Sequence, residues 1–147
     1  MNAPDRERLA SRLAAVVGHD RVLLDPERTR PYESDGLTLH RALPLAVVHV
    51  ASEAEVIAVL GVCRELGVPV VPRGAGTGLS GGATPHAGGV LLSLARLDRI
   101  LGIDARARTA VVQPGVRNLA ISEAAAPFGL YYAPDPSSQI ACTIGGN

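Results

Sequence analysis

Lysine is missing from this 147-residue sequence. All 14 of its basic side chains are arginine, and 14 Asp and Glu residues bring the formal net charge to zero. A P-loop, which needs a lysine after its last glycine, is therefore excluded. No basic field is available to draw in nucleic acid. Aromatics are nearly absent, with one Phe, three Tyr and no Trp, too few for a base-stacking platform. Cys63 and Cys142 lie far apart and fit no metal or redox spacing. His19, His40, His49 and His86 form no clustered metal site. The first dozen residues are polar and charged, without a signal peptide's apolar h-region, and no apolar run is long enough to span a bilayer. A cytoplasmic setting without metal, nucleic-acid partner or transmembrane segment is expected.

What is present is 47% hydrophobic, enough for one respectable core. Leu9, Leu13, Val16 and Val17 have helical spacing, with Gly18 as a stop. Val22 to Asp25 reads as a short strand or turn, and residues 26–43 as irregular chain. Leu45 to Val50 reads as a strand. Ser52 and Glu55 form a capping-box pattern in which each side chain can satisfy the other's backbone donor. It opens a helix with Val56, Leu60, Cys63 and Gly67 along one face, broadened by Ile57 and Val59 and closed by Gly67 and Pro69. Cys63 is expected to be a small buried apolar residue. Strands are predicted at Val68 to Pro72, Val90 to Leu94 and Thr109 to Val112, and a helix at Val116 to Ala126, ended by Pro127 and Gly129. This irregular alternation predicts an α+β fold. Two parts follow: an N-terminal helix with an irregular segment, 1–43, and a larger unit, 44–147.

Seven of the sixteen glycines lie between Arg73 and Gly89, and from Gly74 to Ala95 there is no charged residue. Glycines let backbone amides approach a ligand closely, and successive amides turned to one point form an anion-binding concavity. Thr77 and Ser80 add hydroxyls. A flexible surface loop is the bland alternative, but the run is bracketed by apolar strands and lacks a linker's Lys and Glu. Residues Gly76 to Gly81 also satisfy G-x-G-x-x-G, with Asp98 twenty residues beyond Gly78. A dinucleotide fingerprint must open a helix, whereas Gly82, Pro85, Gly88 and Gly89 lead here into a strand. Arg73 could add charge near phosphates or brace the loop through carbonyls. Asp35 is expected to order its segment through turn bonds, and His49 to be a structural strand histidine.

The run Pro69-Val-Val-Pro-Arg-Gly-Ala-Gly-Thr-Gly-Leu-Ser-Gly-Gly82 resembles the first FAD-binding loop of the p-cresol methylhydroxylase/vanillyl-alcohol oxidase superfamily. Within that superfamily it looks most like the glycolate oxidase group, with D-lactate and D-2-hydroxyglutarate dehydrogenases. Ala133 to Ser138 and Thr143 to Asn147 resemble the family's second cofactor segment, and Gln113-Pro114-Gly115 the strand-turn near the flavin ring. The resemblance implies a PCMH-type FAD-binding fold of small mixed sheets flanked by helices, occupying 44–147 and incomplete at its C-terminal end. Its implied cofactor-binding residues are Arg73, Gly74, Ala75, Gly76, Thr77, Gly78, Leu79, Ser80, Gly81 and Gly82 in the first loop. Pro114 and Gly115 follow from the turn, and Pro134, Asp135, Ser137, Ser138, Thr143, Ile144, Gly145, Gly146 and Asn147 from the last segment. Thr77 stands where some members carry a histidine bonded to FAD, which implies non-covalent FAD.

The implied reaction is oxidation of a 2-hydroxy acid, of glycolate or D-lactate type, to a 2-oxo acid. An electron-accepting subunit is an implied partner, through which the protein would lie against the inner face of the membrane. No catalytic residue is expected within this chain, because the family's base and carboxylate anchors belong largely to a following substrate domain. The chain ends inside the Ile-Gly-Gly-Asn motif, so an amino-terminal fragment or split-gene product, inactive alone, is expected. A non-catalytic flavin-binding module is the alternative.

Overall fold

The computed structural model describes residues 3–146. In chain order the elements are helix α1 (Ala3–Val17), strand β1 (Val22–Leu23), helix α2 (Pro26–Thr29), β2 (Ala46–His49), α3 (Glu53–Glu65), β3 (Val70–Arg73), β4 (Val90–Ser93), β5 (Ile100–Asp104), β6 (Thr109–Val112) and α4 (Asn118–Ala125). Four strands form one sheet in the order β1-β2-β4-β3, and β5 pairs with β6 in a separate hairpin. Within the larger sheet β2, β4 and β3 run parallel, and β1 is antiparallel to β2.

Side chains of a strand alternate between its faces, and both faces of this sheet are covered. Ala46, Val48, Val90 and Leu92 join Leu9, Leu13 and Val17 of α1 and Val59, Val62 and Cys63 of α3 in the main core. Val47 and Leu91 point the other way, beneath Tyr32 and beside Leu23. Burial on both faces accounts for strands that read as continuous Val and Leu runs.

Three features depart from the sequence expectation. The apolar face of α3 is Val59, Val62 and Cys63, with Val56 and Leu66 partly buried, whereas Leu60 and Ile57 face solvent. Ser52 Oγ does accept from the Glu55 amide at 3.2 Å. Glu55 does not return the bond to Ser52; it accepts from the Ala51 amide at 2.7 Å and takes both guanidinium nitrogens of Arg21 at 2.8 Å. The distant arginine draws the carboxylate past the usual capping-box position. The 26–43 stretch is also less irregular than expected: Asp25 caps the Glu27 amide at 2.8 Å, with Pro26 at the first helical position of α2.

Strand β5 has no counterpart in the expected elements. Its alternation is broken by a register shift between Ile100 and Gly102. Its turn carries no Asn-Gly signal: Asp104 Oδ1 accepts from the Arg106 and Ala107 amides, and Arg108 takes a positive φ of 55°.

Candidate cofactor site

Two parallel strands need a long crossover, usually a helix. Between β3 and β4 the crossover is the glycine-rich run itself, residues 74–89, and it contains no helix. The Rossmann reading of Gly76 to Gly81 fails on that point, because no helix N-terminus faces a pyrophosphate there. The loop leaves the carboxyl end of β3, the end at which open α/β sheets hold their ligands.

Its backbone is mostly unpaired. Among the described residues, no hydrogen bond within the chain uses the amides of Gly76, Thr77, Gly78, Leu79 or Ser80. The neighbouring amides are taken: Ala75 donates to Thr143 Oγ1 at 3.2 Å, and Gly81 to Asp35 Oδ2 at 2.7 Å. Gly76 has a φ of 73°, and a Cβ there would strike the Arg73 guanidinium. Only glycine fits that turn. Five consecutive free donors suit an anion such as a pyrophosphate, and the nearby Asp35 carboxylate is engaged with the Leu37 and Gly81 amides.

Arg73 is buried, and its Nη1 donates to the carbonyls of Ser34 at 2.7 Å and Ala83 at 3.1 Å. Its guanidinium carbon lies 5.7 Å from the centroid of the Tyr32 ring. Burial lowers the Arg73 pKa, opposed by Tyr32 and Asp35, and an arginine so placed remains cationic. Of the two roles open to it, the bracing one is visible: it ties the loop's two arms to the chain before β2.

The second segment meets the first. A cleft of about 300 Å³ is lined by Arg73, Gly74, Gly78 and Ser80 on one side and by Gly145 and Gly146 on the other. The Gly145 amide donates to the Pro114 carbonyl at 2.9 Å, so the Pro114 turn backs this wall. Gly115 packs into the 94–97 turn, donating to Leu97 O at 2.7 Å, and lines a neighbouring cleft with Ala75, Arg117 and Thr143. Leu79, Ser80, Gly145 and Gly146 are exposed and Ile144 half-buried. Pro134, Asp135, Ser137 and Ser138 line neither of these two clefts. Asn147 lies outside the described residues.

Asn118 was not among the expected site residues. Its side-chain amide donates to Pro134 O at 3.1 Å and its backbone amide to Cys142 O at 3.0 Å, so the start of α4 clamps both ends of the last segment. Its Oδ1 is buried without a partner. The sequence signal was an Asn in a helix's first turn, which reads equally well as ordinary helix-end chemistry. His49 faces the Tyr32 hydroxyl at 3.4 Å; burial, then Arg96 and Arg28, lower its pKa. It lines neither of the two clefts. His86 Nδ1 accepts from the Gly88 amide at 3.0 Å, a local loop bond. Cys63 is buried in the core as expected, and burial raises its thiol pKa.

Comparison with known proteins identifies the family and the fold. The FAD binding domain family matches residues 44–147. The glycolate oxidase subunit GlcD of Escherichia coli (strain K12) is 61% identical over 126 residues, which cover 86% of this chain and 25% of that protein. D-lactate dehydrogenase of Anaerostipes hadrus is 39% identical over 128 residues, covering 86% and 27%. This chain thus spans about a quarter of the length of these relatives. Among solved structures, p-cresol methylhydroxylase with substrate bound superposes with a TM-score of 0.85 at 24% identity, over 97% of this chain and 29% of that one. 4-Ethylphenol oxidase from Gulosibacter chungangensis does so at 0.79 and 27%, over 88% and 26%. The chain belongs to the FAD binding domain family, has the PCMH-type α+β fold, and its cofactor is FAD.

Proposed function

We propose that this chain is the FAD-holding part of a flavin-dependent oxidoreductase that converts a 2-hydroxy acid of glycolate or D-lactate type to the 2-oxo acid. The observation that carries the reading is the run of five unpaired amides, Gly76 to Ser80, beside the Gly145–Gly146 wall. These amides, with the Thr77 and Ser80 hydroxyls, would hold the pyrophosphate without a formal positive charge. Arg73 shapes the loop from behind. The Thr143–Gly146 backbone, with the Pro134–Ser138 chain that Asn118 clamps, would lie along the rest of the cofactor. Thr77 offers no imidazole for a covalent link, so FAD is held non-covalently.

When bound, FAD supplies the acceptor for the hydrogen on the hydroxyl-bearing carbon and passes the electrons onward. Such a reaction also needs a base and a cationic anchor for the substrate carboxylate. Among the described residues Arg73 is the one ionisable residue lining the 300 Å³ cleft, and it is engaged with carbonyls. We therefore assign no catalytic residue to this chain. The relative named as a glycolate oxidase subunit supports an electron-accepting partner subunit. Among the described residues no helix is long and apolar enough to cross a membrane; a location at the inner face of the membrane through that partner is part of the proposal.

The same lack of a base in the cleft favours a second reading, a flavin-binding module without turnover of its own. One experiment tests both. The full chain is mixed with FAD, freed of excess, and its visible spectrum recorded; glycolate, D-lactate or D-2-hydroxyglutarate is then added with a dye acceptor. Retained flavin that acid releases supports non-covalent FAD, and its absence overturns the cofactor assignment. Because the base and anchor are not assigned to this chain, the reduction step is run on the FAD-loaded chain joined to a substrate domain of the same family. Bleaching by a hydroxy acid then supports the oxidoreductase, whereas retained flavin that no hydroxy acid reduces even then supports the module.

A further inference from the structure

Asp35 lies outside the 44–147 match, yet it makes the most direct side-chain contact with the glycine loop's far arm. It is 5% exposed. Its Oδ1 accepts from the Leu37 amide at 3.0 Å, a turn bond within its own segment. Its Oδ2 reaches 46 residues along the chain to the Gly81 amide at 2.7 Å. Two further bonds run alongside: the Gly36 amide donates to Gly78 O at 2.9 Å, and Arg73 binds Ser34 O. A Cβ on Gly36 would come within 2.7 Å of Thr77 O, so the two backbones touch. Residues 34–36 thus grip the loop at residues 77–78 and again at Gly81, on both sides of Leu79 and Ser80.

We propose that Asp35 is a positioning residue for the cofactor, a built-in anion that occupies the Gly81 amide and holds the loop in the shape that receives the pyrophosphate. The proposal rests on the FAD reading and extends the site into the chain before residue 44. Carboxylates bind amides more strongly than neutral acceptors do, so one such bond can fix a glycine-rich arm that has few contacts of its own. Fixing it in advance removes ordering cost from the binding step. The carboxylate's repulsion of a phosphate is offset by Arg73, whose charge it in turn favours. Asp35 also interrupts the run of free amides after Ser80, because Gly81 already has its acceptor.

The test compares the full-length wild-type chain with Asp35→Asn, which keeps the side chain's size and removes its charge. FAD, ADP and riboflavin are titrated by calorimetry, and amide hydrogen exchange is followed without ligand. FAD and ADP should bind roughly 10–100-fold more weakly to the variant, the range for one lost charge-assisted bond, while riboflavin, which has no pyrophosphate, should be unaffected. Exchange should accelerate at Gly36, Gly81 and Thr84, whose amides are bonded at this contact, and remain slow in β2 and β4. Excess FAD should restore the wild-type flavin spectrum. Gly36→Ala, which pushes the same two backbones apart, should reproduce the pattern. Equal FAD and ADP affinities in wild type and Asp35→Asn, or an equal loss for riboflavin, would overturn the positioning role while leaving the FAD assignment standing. A wild-type chain that binds neither FAD nor ADP overturns both.

Discussion

The two cofactor segments use their backbones in opposite ways. In the first loop the amides of residues 76–80 are free, and the loop is held from outside by Asp35 and Arg73. In the last segment the amides of Gln139, Ala141, Cys142, Ile144, Gly145 and Gly146 all donate to carbonyls of that segment or of the 114–116 turn. A segment that satisfies its own donors is shaped by its own bonds and has little left for a ligand. One that leaves donors free must borrow its shape from neighbouring side chains. In the proposed site the first segment would be the anion receptor, and the second the wall against which the bound molecule would lie.

Substitutions can break or sharpen this contrast. The largest expected effect comes from Leu92→Ala in β4, 2% exposed within the main core. It should cost about 2–5 kcal/mol in denaturant unfolding and loosen both segments together. The reason is that the glycine loop joins β3 to β4, and the 114–116 turn that backs the last segment packs on the 94–97 turn after β4. Arg73→Met should cost roughly 1.5–3 kcal/mol, the worth of bonds from a charged donor. Hydrogen exchange should rise at the bonded loop amides of Ala75, Gly81 and Thr84 and remain unchanged over 138–146; a uniform rise would dissolve the distinction between the segments.

Asn118→Ala acts on the other side. It removes the donor to Pro134 O but also the unpartnered Oδ1, so the net loss should be only about 1 kcal/mol. It should alter the flavin's visible spectrum while ADP affinity stays at the wild-type value. Smallest of all, and a control for both segments, is Glu55→Gln. Its bond with Arg21, opposed by desolvation and aided by the Ala51 amide, holds the Glu55 pKa below the usual carboxylate range. A carboxylate depressed on folding stabilises at pH values above its unfolded pKa, and that stability is lost as pH falls through the folded pKa. The Gln variant should lose about 0.5–1 kcal/mol near pH 7, show a shallower acid unfolding profile, and bind FAD as the wild type does.

Much of the frame was legible because the cues were local. Periodicity located α1, Ser52 marked the start of α3, and apolar runs located β2, β3, β4 and β6 with shifts of one or two residues at their ends. Strand β5 was not legible, since Gly102 and a register shift break its alternation and its partner supplies the pairing. The solvent face of α3 was also misjudged. Leu60 and Ile57 are as apolar as Val59 and Val62, and only the direction from which α1 and the sheet approach decides which of them is buried.

By itself the sequence determined that residues 74–82 form a glycine-rich, charge-free run suited to an anion, and its resemblance to a known family supplied FAD. The tertiary structure decided which amides of that loop remain free and what holds them. Asp35 and Gly81 are 46 residues apart, and Ala75 and Thr143 are 68 apart. Hydrogen bonds across such separations leave no periodic trace in the chain. They exist because the parallel strand order brings the loop's two arms, the turn at Asp35 and the last segment to the same end of one sheet.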